Sequence, residues 1–246
     1  MKYKIFTLAK RPELARHFDT LHTIGWPEFM LHDEVADTYF HQLEELFPQF
    51  QFCLVNEEGD VIAGCNSIPF CWDGTVEGLP SGWDRVLIRG IEEYRSEPKP
   101  NAVSALSIVI DPALRGKGIS RLMIIALKEL VKNQQMKQLI APVRPSFKHK
   151  YPHIPMHEYA YWKKDDGSPF DPWIRTHWKI GANILKIAPE SMIIKGTVAD
   201  WEIWTEMKFL ESGTYHVPGA LVPVTIDVEK NSGCYVEPNV WMQHIM

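Results

Sequence analysis

The stretch DPALRGKGISRLMIIALKEL, Asp111 to Leu130, sets two glycines and two bases between an apolar run and an amphipathic segment. Residues 102–110 are mostly small or β-branched and predict a strand. Ile119, Leu122, Met123, Ala126, Leu130 and Val131 recur at helical spacing and predict a helix over 119–133. The first amides of such a helix lack intrahelical acceptors, and the helix dipole adds partial positive charge there. Phosphate is the natural ligand for that combination. Gly116 and Gly118 permit positive φ and close approach of the backbone, while Arg115 and Lys117 add charge. Two other phosphate motifs do not fit. A P-loop needs GxxxxGK[ST], and a dinucleotide fingerprint needs a third glycine where Arg121 stands.

IVIDPALRGKGIS, Ile108 to Ser120, resembles the coenzyme A-binding motif of the GNAT superfamily of acyl-CoA-dependent N-acyltransferases, whose pattern is [RQ]-x-x-G-x-[GA]. Arg115, Gly118 and Ser120 occupy that pattern, with serine in place of glycine or alanine, and Pro112 stands where a proline is common. The resemblance implies an α/β fold with a mixed sheet, and an acyl-CoA, acetyl-CoA first, as co-substrate. It implies that amides from Arg115, Gly116, Lys117, Gly118, Ile119 and Ser120 hold the pyrophosphate. It also implies that the backbone of Ile108, Val109 and Ile110 pairs with the pantetheine arm. The predicted order of elements matches the family's over about residues 3–195, which leaves 145–172 as an insertion and 196–246 as a C-terminal extension of one domain. The segments DDGSPFDPWIRTHWKIGANI, PESMIIKGTVADWEIWTEM and EPNVWMQH resemble a subgroup of GNAT-like proteins, some of them joined to other catalytic domains.

Acyl transfer to an amine requires a neutral nucleophile, a polarised thioester and a proton for the leaving thiolate. In many family members a tyrosine four residues before the glycine of Y-x-x-x-G-F supplies that proton. Counting back four from Gly181 gives His177, with Ala182 in the phenylalanine position. Imidazole suits acid–base work near neutral pH. Tyr161, Ser104 and Ser107 are further hydroxyl candidates, and Glu158 is a candidate base. Arg144, Lys148 and Arg175 are cations available to coenzyme phosphates or an anionic substrate. His149, His153 and His157 are spaced for one helix face, but Pro152 and Pro155 forbid that helix, so no metal is expected. Trp162, Trp173, Trp178, Trp201 and Trp204 suggest either core packing or an aromatic acceptor pocket.

The rest of the chain must position these groups. Strands are predicted at 3–8, 50–55, 61–69, 138–143, 184–187, 192–195 and 221–228. Pro12, Asp33, Ser81, Asp171 and Thr197 mark helix starts. A net charge of −5 lacks the basic footprint of a nucleic-acid binder, and no apolar run is long enough to span a bilayer. The opening MKYKIFTLAKRPE reads as a first strand rather than a signal peptide. The four cysteines form no CxxC pair and read as reduced thiols in a cytoplasmic enzyme. The expected acceptor is a small-molecule amine, chosen by loops 25–34, 70–100 and 145–172, and a homodimer is compatible with the sequence. Two other readings stay open: acyl-CoA decarboxylation or S-acyl transfer on the same fold, and a non-catalytic acyl-CoA-binding module.

Overall fold

The computed structural model describes residues 3–96 and 98–246, with the side chains of Phe18 and Asp19 excepted. Strand β1 (Lys4–Thr7) leads through a 3-10 turn opened by Pro12 into helix α1 (Arg16–Gly25). Leu14 and Leu21 are buried as the apolar periodicity requires, whereas Phe18, the third predicted member of that face, lies outside the described side chains. Asp33 starts α2 (Glu34–Tyr39) by accepting the Ala36 amide at 2.8 Å, and α3 (Gln42–Leu46) follows. Strands β2 (Phe52–Val55) and β3 (Val61–Phe70) form the predicted hairpin, with Gly59 at φ +96° in its turn. Helix α4 (Trp83–Ser96) starts two residues after Ser81; its first amide is received at 2.9 Å by Ser191 Oγ, a partner distant in sequence.

Strand β4 (Ala102–Ile110), helix α5 (Ile119–Asn133) and strand β5 (Gln138–Val143) have the predicted bounds. Met123, Ile124, Leu127 and Val131 are buried on the inner face of α5, each side chain contributing about 1.5–3 kcal/mol by leaving water. Residues 145–172 carry a short helix α6 (Met156–Tyr159) and a cluster of Tyr151, Tyr159, Trp162 and Phe170 rings with centroids 5.0–6.2 Å apart. Helix α7 (Pro172–Trp178) ends before Gly181, which adopts φ +87°.

The two strands predicted at 184–187 and 192–195 are one strand, β6 (Ala182–Gly196), with register shifts where Ala188 gives way to Met192. Helix α8 (Val198–Thr205) carries the capping box of Thr197 and Asp200. Strands β7 (Gly213–Tyr215) and β8 (Val224–Asp227) follow, then β9 (Ser232–His244). All nine lie in one mixed sheet, ordered β1-β2-β3-β4-β5-β9-β8-β7, with β6 paired to β9. The strands after residue 196 take two different places in that sheet. β7 and β8 do add strands at an edge, but β9 pairs with β5 on one side and with β6 on the other. Residues 232–244 are therefore inside the sheet and not appended to it.

Candidate active site

The sheet opens a site where two parallel strands part. β4 is paired with β3 from Ala102 to Ile110, but with β5 only over Ala102–Ser104. Beyond Ser104 one edge of β4 has no neighbouring strand, and a cleft of about 1260 Å³ fills the gap. A bulge marks its mouth: Asn66 faces Ser107 while Ser67 faces Ala105, so β4 carries the extra residue Leu106. The Leu106 carbonyl accepts the Trp83 indole N–H at 2.8 Å, which ties the bulge to α4. Bulges re-aim backbone groups and side chains, and here the change falls in the wall of the cleft.

At one end of the cleft lies the glycine turn. Asp111 caps a 3-10 turn at Pro112–Leu114, and Gly116 and Gly118 adopt φ +79° and +78°. Gly118 is the N-cap of α5, in the left-handed region that side chains with a Cβ rarely adopt. The amides of Ile119, Ser120 and Arg121 form the first turn of α5 and have no intrahelical acceptor. The structure narrows the predicted donor set: the Arg115 amide is already given to the Pro112 carbonyl at 3.3 Å. Gly116, Gly118, Ile119 and Ser120 line the cleft beside Ile108, Val109 and Ile110, whereas Lys117 is exposed outside its lining.

His177 lies in the cleft wall and is 2 % exposed. Asp171 sets its helix in place by accepting the Trp173 and Ile174 amides at 2.8 and 3.1 Å. The same carboxylate accepts the Ser146 and Phe147 amides and the Tyr159 hydroxyl, so one side chain joins α7 to the insertion. Asp171→Asn keeps one acceptor oxygen but turns an amide toward the Phe147 N–H and the Tyr159 hydroxyl. It should cost about 2 kcal/mol, lowering Tm by about 4–8 °C; a calorimetric shift under 1 °C would refute the tie.

Burial holds the His177 imidazole well below its ordinary pKa, and the neighbouring His244 ring adds to this. His177 Nδ1 lies 2.9 Å from His244 Nε2, and the Trp173 ring packs on the imidazole at 4.4 Å. Both effects favour the neutral form of the His177 ring.

The other candidates separate. Ser107 lines the cleft, donates to Asn66 Oδ1 at 2.8 Å and sits 3.1 Å from His22 Nε2. Ser104 is buried and donates to the Ala105 carbonyl. Glu158 and Tyr161 are exposed on the outside of the insertion and are not brought to the cleft. Lys148 is buried and donates to the Tyr151 and Leu221 carbonyls, while Arg175 donates to the carbonyls of Pro169 and Phe170; both hold loops in place. Of the predicted histidine trio, His149 lines the cleft and His153 and His157 are exposed.

Trp26, Trp83, Met192 and Pro218 also line the cleft. Its polar floor is a network that sequence reasoning missed. Arg144 Nε reaches the two Glu237 carboxylate oxygens at 3.0 and 2.9 Å, and Nη2 donates to the Gly219 carbonyl. Tyr235 and Asn239 also donate to Glu237, and Ser191 donates to Asn239. The Arg144 guanidinium lies over the Trp26 ring. Nearby, burial raises Asp84 to about 8, helped by Asp33, which burial itself raises to about 6. The signal for this network was EPNVWMQH, which holds Glu237, Asn239 and His244, but nothing in the segment alone pairs it with Arg144 or His177. Among the described residues no helix is long and apolar enough to cross a membrane.

The profile of the GNAT acetyltransferase family matches residues 18–150. The arginine N-acetyltransferase avaD of Aspergillus versicolor is 34% identical over 274 aligned positions, which cover 98% of this chain and 93% of that protein. Two solved structures are similar in fold. The loading GNATL domain of CurA from Lyngbya majuscula has TM-score 0.66 and 19% identity, covering 100% of this chain and 98% of that one. The GphF GNAT-like decarboxylase, solved in complex with isobutyryl-CoA, has TM-score 0.60 and 13% identity, covering 100% and 99%. With the parted strands, the glycine turn at a helix start and a full-length relative of that identity, the chain belongs to the GNAT acetyltransferase family and is an N-acetyltransferase.

Proposed function

We propose that the protein transfers the acetyl group of acetyl-CoA directly to the amino group of a small amino-acid-like acceptor, with arginine the first candidate. The observation that carries the reading is one continuous cleft. It runs from the glycine turn, along the unpaired edge of β4, past His177, to the Arg144–Glu237 floor. The amides of Gly116 and of the first turn of α5 would take the diphosphate. The free backbone edge of Ile108–Ile110 would pair with the amides of the pantetheine arm and leave the thioester near the bulge. The Arg144–Glu237 end, with its aromatic walls and its paired cation and anion, suits an acceptor that carries both an amine and a carboxylate. The arginine-acetylating relative at 34% identity supports that choice.

Chemistry in this reading needs one proton moved. The amine nitrogen attacks the thioester carbon, the C–S bond breaks, and the nitrogen gives up a proton to His177 Nε2. The imidazolium, which burial makes short-lived, returns that proton to the thiolate sulfur. The test is CoA release from acetyl-CoA with a panel of amino acids, diamines and blocked arginines. Arginine should accelerate release, and α-N-blocked or amidated arginines should show which group reacts and whether the carboxylate matters. Malonyl-CoA losing carbon dioxide with no acceptor, while no amine accelerates release, would favour the decarboxylating reading instead.

A further inference from the structure

His244 was singled out by no acyl-transfer motif, yet it is the one described side chain hydrogen-bonded to the His177 ring. It lies on β9, 67 positions away in sequence, and is 2 % exposed. Both rings are buried, and their outer nitrogens, His177 Nε2 and His244 Nδ1, have no partner among the described residues. Leaving two buried ring nitrogens unpaired is unfavourable. A packed core would fill this position with an apolar side chain. A buried histidine pair in the wall of the cleft, with its outer nitrogens unpartnered, has the groups a proton-transfer site requires.

Resting on the reading that His177 carries the proton, we propose that His244 is a positioning residue for acetyl transfer. It accepts the Nδ1–H of His177 and so leaves the Nε2 lone pair without a hydrogen. Two neutral imidazoles share a single hydrogen across the bridge, so its position fixes the character of the open nitrogen. With the hydrogen on His177 Nδ1, Nε2 can take the proton that the attacking amine must lose. That proton then leaves Nε2 for the thiolate sulfur, and the bridge is unchanged at the end of the cycle. Without His244, Nδ1–H has no acceptor in the protein, the ring can rotate or switch tautomer, and Nε2 is bare for only part of the time. Few charges act on the pair. Lys128 of α5, held by the Ile180 and Ile245 carbonyls, is the cation that acts on His244, and with burial it keeps that ring neutral down to about 4. Trp173 covers His177 from its own helix, and Lys179 lines the cleft two residues further on.

The test combines kinetics with the ¹⁵N spectrum of the histidine side chains, run on the wild type, His244→Phe, His244→Gln and His177→Ala. In the wild type, His177 should show one tautomer, protonated at Nδ1 and bare at Nε2, from pH 5.5 to 8. His244→Phe keeps a ring in the space but offers no acceptor. It should lower kcat about 10–100-fold, leave the KM for acetyl-CoA within about threefold, and show His177 as a tautomer mixture. The carboxamide oxygen of His244→Gln can accept Nδ1–H, so this variant should stay within about fivefold of wild-type kcat. It decides the matter if the phenylalanine variant does not fold. Wild-type kcat in folded His244→Phe, an unchanged His177 spectrum there, or a hundredfold loss in folded His244→Gln would each overturn the proposal. The two layers fail differently. His177→Ala impaired with His244→Phe silent removes only the role of His244, whereas a fully active His177→Ala removes the His177 reading and this role with it.

Discussion

His177→Ala should lower kcat by about 10²–10³-fold, the range for loss of a single proton-transfer group, while the KM for acetyl-CoA stays within about threefold. The split follows from position. His177 lies in the cleft wall on a different element from the strand edge and the glycine turn, so its removal leaves the groups proposed to hold the coenzyme unchanged. The pH dependence follows from burial. Because the pKa of His177 is depressed, the imidazole is neutral at every pH above that lowered value. Activity that depends on it should be lost only as pH falls through that value, well below the usual histidine range. The acid limb of kcat against pH should therefore be absent near 6.5. The alkaline side should instead report deprotonation of the acceptor amine. A wild-type limb at 6.5 that persists in His177→Ala would assign the proton to another group.

The second large effect is expected at Gly118. Its φ of +78° is one that an L side chain rarely adopts, and a Cβ built there meets nothing within 4 Å. The obstacle to Gly118→Val is therefore backbone conformation and not crowding within the protein. A β-branched residue would pay roughly 1–3 kcal/mol to hold the left-handed geometry, or the turn would relax and re-aim the first amides of α5. In either case the branched side chain would stand in the space a diphosphate needs. CoA affinity measured by calorimetry should fall at least about 100-fold, whereas Tm should drop by only about 2–10 °C. Arg115→Ala should be milder, because the backbone cradle survives. If Gly118→Val bound CoA as the wild type does, the diphosphate would have to sit elsewhere.

The parts of the fold that could be read in advance are those whose signals are local. β4 is announced by its small and β-branched residues, α5 by its periodicity, and the turn between them by two glycines that both adopt positive φ. Asp33, Asp171 and Thr197 act as caps because a carboxylate or hydroxyl at a helix start needs only its own neighbours. β9 was missed for the opposite reason. Its residues include Glu237, Pro238, Asn239, Gln243 and His244, which read as polar loop. They are tolerated in the sheet because distant groups satisfy them: Arg144 for Glu237, Ser191 for Asn239, Gln138 for Gln243 and His177 for His244. Such pairings have no trace in a window of one strand. Glu158 and Tyr161 show the converse limit of local signals. Their side chains carry suitable chemistry, but the insertion folds on its own aromatic cluster and turns them to the outside.

The place of β9 also bears on how the protein is made. Ser232–His244 leaves the ribosome after both strands it must join, Gln138–Val143 and Ala182–Gly196. Until then each of those strands exposes a row of unsatisfied main-chain groups to the other and to whatever else is in reach. The nascent polypeptide can finish its glycine turn early, yet the side of its reaction chamber that holds Glu237 and Asn239 has to wait for translation of β9. Chaperone dependence and misassembly should therefore concentrate in that interval, and a pulse of refolding from denaturant should show coenzyme binding and turnover returning at different times.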